Sequence, residues 1–200
     1  MGVYKLSTAG GLKTPRTNYS SFLAGNAAVT FTSYESIATV TVGSGGAADV
    51  TFSSIPATYT HLQIRGISKT DRADDNDVVK MRFNSDTASN YSHHVLLGTG
   101  SSAVSAATAN ASSILTIAGA AANVSNVFGG GVIDILDYKD TNKYKTVRTL
   151  GGYESNSTGF IALYSGNWRS TSAITSIVLS PNIGSNFNQY SQFALYGVKS

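Results

Sequence analysis

Apolar and polar residues alternate along most of this chain with the two-residue period of β-strands. Val79, Met81 and Phe83, for example, alternate with Lys80 and Arg82. Successive side chains of a strand point to opposite faces, so this alternation places one face in a core. No stretch has the 3.6-residue period of an amphipathic helix, and the pattern therefore predicts an all-β fold. The predicted strands lie at residues 37–42, 49–55, 79–83, 91–97, 114–117, 127–138, 144–150, 159–165, 173–180 and 189–198, with another around Leu62 and Ile64.

Turn-forming residues between the strands predict how they connect. A glycine-rich turn at residues 43–46 predicts that strands 37–42 and 49–55 form a hairpin. The Ser/Ala-rich residues 98–122 predict a long loop with one short strand, and the glycines at 129–131 predict a bulge. We expect the last three strands to form the closing half of a sandwich, with the final strand inside a sheet. The predicted fold is a jelly-roll-like antiparallel β-sandwich.

Residues 1–33 differ from the rest because their apolar side chains are widely spaced among turn formers. Such a segment cannot bury enough surface by itself to offset the entropy lost on ordering. We therefore predict an extended N-terminal arm over residues 1–33, which becomes ordered on a partner, and a β-sandwich domain over residues 34–200. A disordered tail is the alternative. The apolar residues predicted to anchor the arm are Leu12, Tyr19, Phe22 and Leu23.

The positive charge of the chain is concentrated in this arm. Lys5, Lys13 and Arg16 precede the first acid, Glu35, and the formal net charge of the chain is +3. The rest of the chain is therefore charge-balanced, and the three basic residues are predicted to face acidic patches on a partner. A balanced domain without a stripe of basic and aromatic residues disfavours nucleic-acid binding.

Composition excludes several classes of protein for this chain. Charged residues make up 12% of the chain, against about 25% in a typical soluble domain. The chain has no Cys, which excludes disulfides and thiolate metal sites. No apolar run approaches the roughly 18 residues of a membrane span, and the N-terminus lacks the apolar stretch of a signal peptide. We expect synthesis in a cytoplasm and no membrane association.

No residues converge on a metal, a cofactor or a catalytic group. The histidines His93 and His94 are adjacent, so in a strand they point to opposite faces, and a packed histidine is the simpler interpretation. Nucleophile, zinc-protease and phosphate-loop motifs are missing from the sequence. We therefore expect no metal, no cofactor and no enzymatic activity. An acidic cluster would suit Ca²⁺ but lacks the pattern of a known calcium loop, and a solvated loop is preferred; it consists of Asp71, Asp74, Asp75 and Asp77.

A binding surface is the remaining candidate. Trp168, the only Trp in the sequence, lies in a predicted turn, and with Tyr164 and Phe187 it is a candidate contact for a glycan or a protein. The loops at residues 69–76 and 181–188 would complete that contact. The alternative is that Trp168 is packed at the end of the sandwich.

Seven short stretches of the chain have the pattern of a known protein family: VGSGG (42–46), FSSIPATYTHL (52–62), RFNSD (82–86), NYS (90–92), KTVRTL (145–150), WRSTSAITSI (168–177) and YSQFALYGV (190–198). Through them, residues 36–200 resemble a group of small virion proteins of tailed bacteriophages, whereas residues 1–35 match less well. The resemblance implies a β-rich virion component without established catalytic residues.

Two functions follow from this resemblance and from the basic arm. The first is a capsid cement or decoration protein, a homotrimer located in the virion, whose arm bridges neighbouring subunits of the major capsid protein or other virion proteins. The second is a tail-fibre or tail-tip module that binds a host surface glycan. A glycan-degrading enzyme is a third, disfavoured alternative.

Overall fold

The computed structural model describes residues 33–156 and 158–199, and these residues form two antiparallel β-sheets without a helix. The all-β antiparallel sandwich predicted from the sequence is thereby confirmed. The strands are β1 (Tyr34–Thr41), β2 (Val50–Phe52), β3 (His61–Ser68), β4 (Asn76–Phe83), β5 (Tyr91–Gly98), β6 (Ala103–Ala111), β7 (Ile114–Ala120), β8 (Gly129–Leu136), β9 (Lys145–Glu154), β10 (Gly159–Trp168), β11 (Ile177–Pro181) and β12 (Gln192–Val198).

The two sheets are unequal in size. The larger has eight strands in the order β1-β12-β3-β8-β9-β10-β5-β6, and the smaller has four in the order β2-β11-β4-β7. The last strand, β12, pairs with β1 on one side and β3 on the other. The prediction that the final strand lies inside a sheet is therefore confirmed.

The predicted hairpin of residues 37–42 and 49–55 is wrong. β1 pairs with β12 in the larger sheet, whereas β2 pairs with β11 in the smaller one. The glycine-rich turn therefore carries the chain from one sheet to the other. Alternation reveals that a strand has a buried face, but it does not reveal which strand lies beside it.

Two further predictions about the connections need correction. The last three strands do not form one unit, because β11 lies in the smaller sheet, and β10 is separated from β12 by three strands. The Ser/Ala-rich residues 98–122 are mostly strand, since they hold β6 and β7. Small polar residues weaken the sequence signal of a strand, but β6 is held by continuous pairing with β5.

The core lies between the two sheets and follows the alternation of their strands. In β4, Val79, Met81 and Phe83 are fully buried, while the residues between them remain partly exposed. In the larger sheet, Leu62 and Ile64 of β3 are also fully buried. The half-exposed strand predicted at residues 79–83 is therefore confirmed as β4, and its inward face is part of a single apolar cluster.

Glycines allow β7 to pack closely on the larger sheet. Gly66, Gly131 and Gly151 lie side by side on β3, β8 and β9, and they form a row beneath Ile117 of β7. A Cβ atom on Gly131 would lie 2.5 Å from Cγ2 of Ile117 and 2.6 Å from the carbonyl oxygen of Leu150. The predicted bulge is wrong, because β8 keeps continuous register with both neighbours. These glycines instead provide the space that the β-branched side chain fills.

Candidate functional site, an exposed aliphatic sheet face

The face of the larger sheet that points away from the core carries exposed aliphatic side chains. Leu150 of β9 lies opposite Leu163 of β10, which lies opposite Leu96 of β5. These three side chains are 49%, 50% and 53% exposed. Directly opposite residues on one sheet face are close enough for their side chains to touch. The three leucines therefore form a continuous apolar row across three strands, which we call the aliphatic face.

A second row extends this face. Ile161 is 60% exposed and lies opposite Gly152 on one side and Gly98 on the other. Since these glycines have no side chains, they leave a depression of about 880 Å³ that is also lined by Leu150 and Phe128. A neighbouring groove of about 660 Å³ lies beside Leu96 and Leu163. The aliphatic face is therefore grooved and can accept protruding side chains.

Polar side chains cover much of the remaining outer face, where Ile67 of β3 is the exposed apolar exception at 46%. Arg65 of β3 stacks over the rings of Tyr34 and Tyr196, at 5.9 and 5.3 Å from their centroids. Its Nε donates to Oε1 of Gln63, whose Nε2 donates in turn to Oδ1 of Asp134. The outer face thus has a satisfied polar part on β12, β3 and β8, and an apolar part on β9, β10 and β5.

The aliphatic face suits binding of another macromolecular surface. Contiguous exposed apolar area of this kind commonly marks an interaction site. At its border lie His94 and Arg148, which can give polar contacts at the rim of an interface. The side chains in the grooves are mostly aliphatic or small, and no hydrogen bond joins His94 to Ser165 opposite it within the part of the chain that the structure describes. What the grooves offer a partner is apolar surface to bury.

The sequence contained a signal of this face that the strand predictions did not use. In β10 the run Phe160–Tyr164 is apolar at every position, and in β5 the run Val95–Leu97 is as well. A strand with water on one face alternates, so a continuous run means that both faces are apolar. Such a run in an antiparallel sheet indicates that the outward face is covered by another molecule or remains exposed.

The two loops predicted as a joint contact do lie together. Asp71 and Asp77 accept hydrogen bonds from the backbone of the loop after β11: Oδ1 of Asp71 from Ser185 at 2.7 Å, and Oδ2 of Asp77 from Gly184 at 2.9 Å. Asp77 is fully buried and also accepts from the hydroxyl of Thr70 at 3.1 Å. These two acids therefore fix the conformation of the neighbouring loop. We call this arrangement the loop clamp.

The interpretation of the acidic cluster as a solvated loop holds only in part, because Asp71 is exposed whereas Asp77 is fully buried. Burial alone would raise the pKa of Asp71, but hydrogen bonds from Asn186 and Ser185 outweigh it, and the pKa is lowered. Asp74 instead pairs with Arg72. Within the described residues, no three His, Cys, Asp or Glu side chains come together as a metal-binding group.

The glycan or protein contact predicted for Trp168 needs correction. Trp168 is only 2% exposed, stacks with Tyr91 at 6.3 Å between centroids, and packs on Phe83 at 5.5 Å. A side chain buried in this way presents no ring face to a sugar. The alternative interpretation, a Trp packed at the end of the sandwich, agrees with its burial.

Tyr164 and Phe187 are likewise core residues and not surface contacts. Tyr164 points inward from β10, where burial raises its pKa and His93 lies 6.4 Å from its ring centre. Phe187 is fully buried against Phe193, with 5.0 Å between ring centroids. The backbone of Phe187 bridges to Ala47 and Thr70, which draws its side chain inward. Alternation could not reveal this, because Phe187 lies in a loop.

The two adjacent histidines occupy opposite faces, as predicted. His93 is buried and His94 is exposed. Burial, followed by the neighbouring charge of His94, lowers the pKa of His93, and its Nδ1 has no hydrogen-bond partner in the described part of the chain. His93 is therefore held neutral, as a packed side chain.

The seven arm residues predicted to bind a partner fall outside the described residues. They are Lys5, Leu12, Lys13, Arg16, Tyr19, Phe22 and Leu23.

None of the described residues forms a helix long and apolar enough to cross a membrane. Comparison with known proteins finds no family model, curated protein or solved structure that matches this chain.

Proposed function

We propose that this chain is a structural protein of a tailed-phage virion, and that it serves as a capsid cement or decoration protein. The observation that carries the proposal is the aliphatic face, where Leu96, Leu150, Leu163 and Ile161 lie about half exposed on one side of a sheet. Water-exposed apolar area of this extent is unfavourable in a free protein, so it suits a chain that works while packed against others.

The distribution of charge supports the same role. The chain carries 14 basic and 11 acidic residues, and its three basic residues before Glu35 account for the excess. A charge-balanced domain lies against a protein shell without repelling its neighbours, while the basic arm pairs with acidic patches on adjacent subunits. Contacts by two separate parts of one chain make the second contact effectively intramolecular, so modest interfaces add up to stable attachment.

Copy number per particle and loss of the protein test this proposal together. A cement protein is present in hundreds of copies, and particles without it should lose tolerance to heat and to chelators while adsorbing normally. Deletion of residues 1–33 should leave a folded domain that no longer binds the particle. A handful of copies per particle, or normal particle binding without the arm, would contradict the cement role.

A tail-fibre or tail-tip module that binds a host glycan is the second candidate, and one observation favours it. The loops at residues 69–76 and 181–188 adjoin through the loop clamp, and Tyr190 beside them is 69% exposed. An exposed tyrosine ring can stack on a sugar. A glycan array that gives a specific hit, lost in Tyr190→Ala, together with particles that fail to adsorb without the protein, would favour this function over the first.

A further inference from the structure

Strand β6, which lies at one side of the larger sheet, forms an open edge. It pairs with β5 on one side and has no strand on the other side among the described residues. Eight of its nine residues are exposed, and Ala111 is partly buried. The backbone N–H and C=O groups along such an edge are available to pair with another strand.

This edge lacks the features that normally prevent strand pairing. Natural edges are protected by charged residues, proline or bulges. No charged residue, histidine or proline occurs from Val95 to Ile133, a range that includes all of β6. Its one irregularity lies between Thr108 and Ala111, where the register with β5 shifts. The part from Ala103 to Thr108 is therefore regular, uncharged and open.

Both ends of this regular part are held in place by the chain itself. At one end, the turn from β5 is closed by Thr99, whose backbone N–H donates to the carbonyl of Ser102 at 3.0 Å. At the other, Nη2 of Arg169 donates to Oδ1 of Asn110 at 2.8 Å. A preformed strand loses little conformational entropy on pairing, which favours association.

We propose that two copies of this chain join through β6, in antiparallel orientation, into one continuous sheet. A second copy fits this edge because the strand is compatible with itself: it is uncharged, so a twofold pair brings no like charges together. A register centred on Ala106 places Val104 opposite Thr108, a pair of β-branched residues that suits adjacent strands. Ser105 then lies opposite Ala107, and both are small enough for close approach.

The symmetry of this pair has a consequence for the aliphatic face. Antiparallel pairing of identical strands requires a twofold axis perpendicular to the sheet. The outer faces of both copies therefore lie on the same side, and the two aliphatic faces become parts of one surface. The smallest assembly is a dimer, whereas a homotrimer is expected from the sequence.

Single-cysteine crosslinking of the full-length protein tests the pairing directly, because the chain has no Cys of its own. At the twofold axis residue 106 lies opposite its own copy, at a Cα separation of about 4.5–5.5 Å that a disulfide can span. Ala106→Cys should form a disulfide-linked dimer under mild oxidation. Ala57→Cys is the matched control, because Ala57 is an exposed alanine outside the sheets, and it should remain a monomer.

Light scattering after size-exclusion chromatography gives the independent measurement. The wild-type chain should have twice its 20.8 kDa mass, and Ala106→Lys should have the monomer mass with unchanged circular dichroism. A wild-type monomer at all concentrations, a trimer, or a dimer that survives Ala106→Lys would overturn the proposal. Equal crosslinking of Ala106→Cys and Ala57→Cys would overturn it as well, and this result does not depend on the lysine variant folding. Particle binding is measured separately, so failure of the pairing is distinguishable from failure of the virion role.

Discussion

The indole Nε1 of Trp168 donates a hydrogen bond to Oδ2 of Asp86 across 2.8 Å, joining the end of β10 to the turn after β4. The same carboxylate accepts from Nδ2 of Asn90 at 3.0 Å and from the backbone of Ala88 at 2.9 Å. Asp86 therefore organises the turn that leads into β5 and satisfies the one polar atom of a buried Trp side chain.

Asp86→Ala should destabilise the fold because it leaves the buried indole N–H without an acceptor. We expect a loss of about 1–3 kcal/mol in the free energy of unfolding. Urea unfolding followed by the fluorescence of the single Trp, with circular dichroism as a second probe, measures this loss. Asp49→Ala, an exposed acid in a loop, is the control and should change stability little. Equal stability of the two variants would mean that this hydrogen bond contributes nothing.

Acid should destabilise the fold because it protonates hydrogen-bonded carboxylates such as those of Asp86 and Asp71. The hydrogen bond from Asn90, followed by those from Trp168 and Ala88, lowers the pKa of Asp86 despite its partial burial, and the pKa of Asp71 is also lowered. A lowered folded-state pKa stabilises the fold above the unfolded value of about 3.9. This contribution is lost as the pH falls through the folded-state value.

Asp71→Asn should therefore reduce the dependence of stability on pH below about 4. Urea midpoints measured from neutral to acid pH should fall less steeply in this variant than in the wild-type protein. Asp49→Asn makes the same change at an exposed acid in a loop and is the control for the loss of one carboxylate. If Asp71→Asn follows the wild-type curve throughout, the hydrogen bonds of this carboxylate do not contribute to acid sensitivity.

Asp77→Ala should loosen the loop clamp. The change removes the acceptors of the amides of Gly184 and Ile183 and of the hydroxyl of Thr70, all within 3.2 Å. Since Asp77 is fully buried, we expect a loss of about 2–4 kcal/mol. Hydrogen exchange of amides 183–186 should become faster. Asp75→Ala, in the same acidic cluster, is the control, and similar exchange in both variants would contradict the clamp.

Gly131→Ala should destabilise the sandwich because its Cβ would collide with Ile117 and with the backbone oxygen of Leu150. The backbone cannot move aside as a flexible side chain can, so we expect a cost of about 1–3 kcal/mol. Gly43→Ala is the control, because nothing lies within 4 Å of a Cβ at Gly43. A thermal midpoint for Gly131→Ala equal to that of Gly43→Ala would mean that Ile117 and the backbone of Leu150 move aside without cost.

The sequence predicted the strands better than their arrangement. The alternation of Val79, Met81 and Phe83 correctly located a half-buried strand, because burial of one face depends on local pattern. The partner of β1 could not be found in this way, since pairing with β12 joins residues more than 150 positions apart in the chain. Two glycines of β8 were misinterpreted for the same reason: a Cβ atom on Gly131 would meet Ile117, and one on Gly129 would meet the carbonyl oxygen of Ala118, both on another strand.

The candidate site was harder to predict, because exposure of a large apolar side chain depends on whether another part of the folded chain packs over it. Trp168 and Phe187 looked like surface contacts by loop position, yet both are buried. Leu96 and Leu163 lie in strands predicted from the sequence, and about half of each side chain is exposed. Residue type favours burial of all four side chains, so it agrees with the structure for Trp168 and Phe187, where loop position was misleading, and disagrees with it for Leu96 and Leu163.

The aliphatic face gives the prediction that bears most directly on function. Leu96→Asn combined with Leu163→Asn should leave the free energy of unfolding within about 0.5 kcal/mol of wild type, because both side chains are half exposed. Binding of a hydrophobic dye should fall, and occupancy of the protein on particles should fall with it.

The matched control is Ile183→Asn, which also replaces an aliphatic side chain by Asn, at a position that is 61% exposed but lies in the loop after β11. Loss of dye binding with normal particle occupancy would mean that the chain attaches by another surface, since the apolar area would then have been removed without consequence. Loss of occupancy in the double variant but not in Ile183→Asn would assign attachment to the face itself, because general surface hydrophobicity is reduced in both.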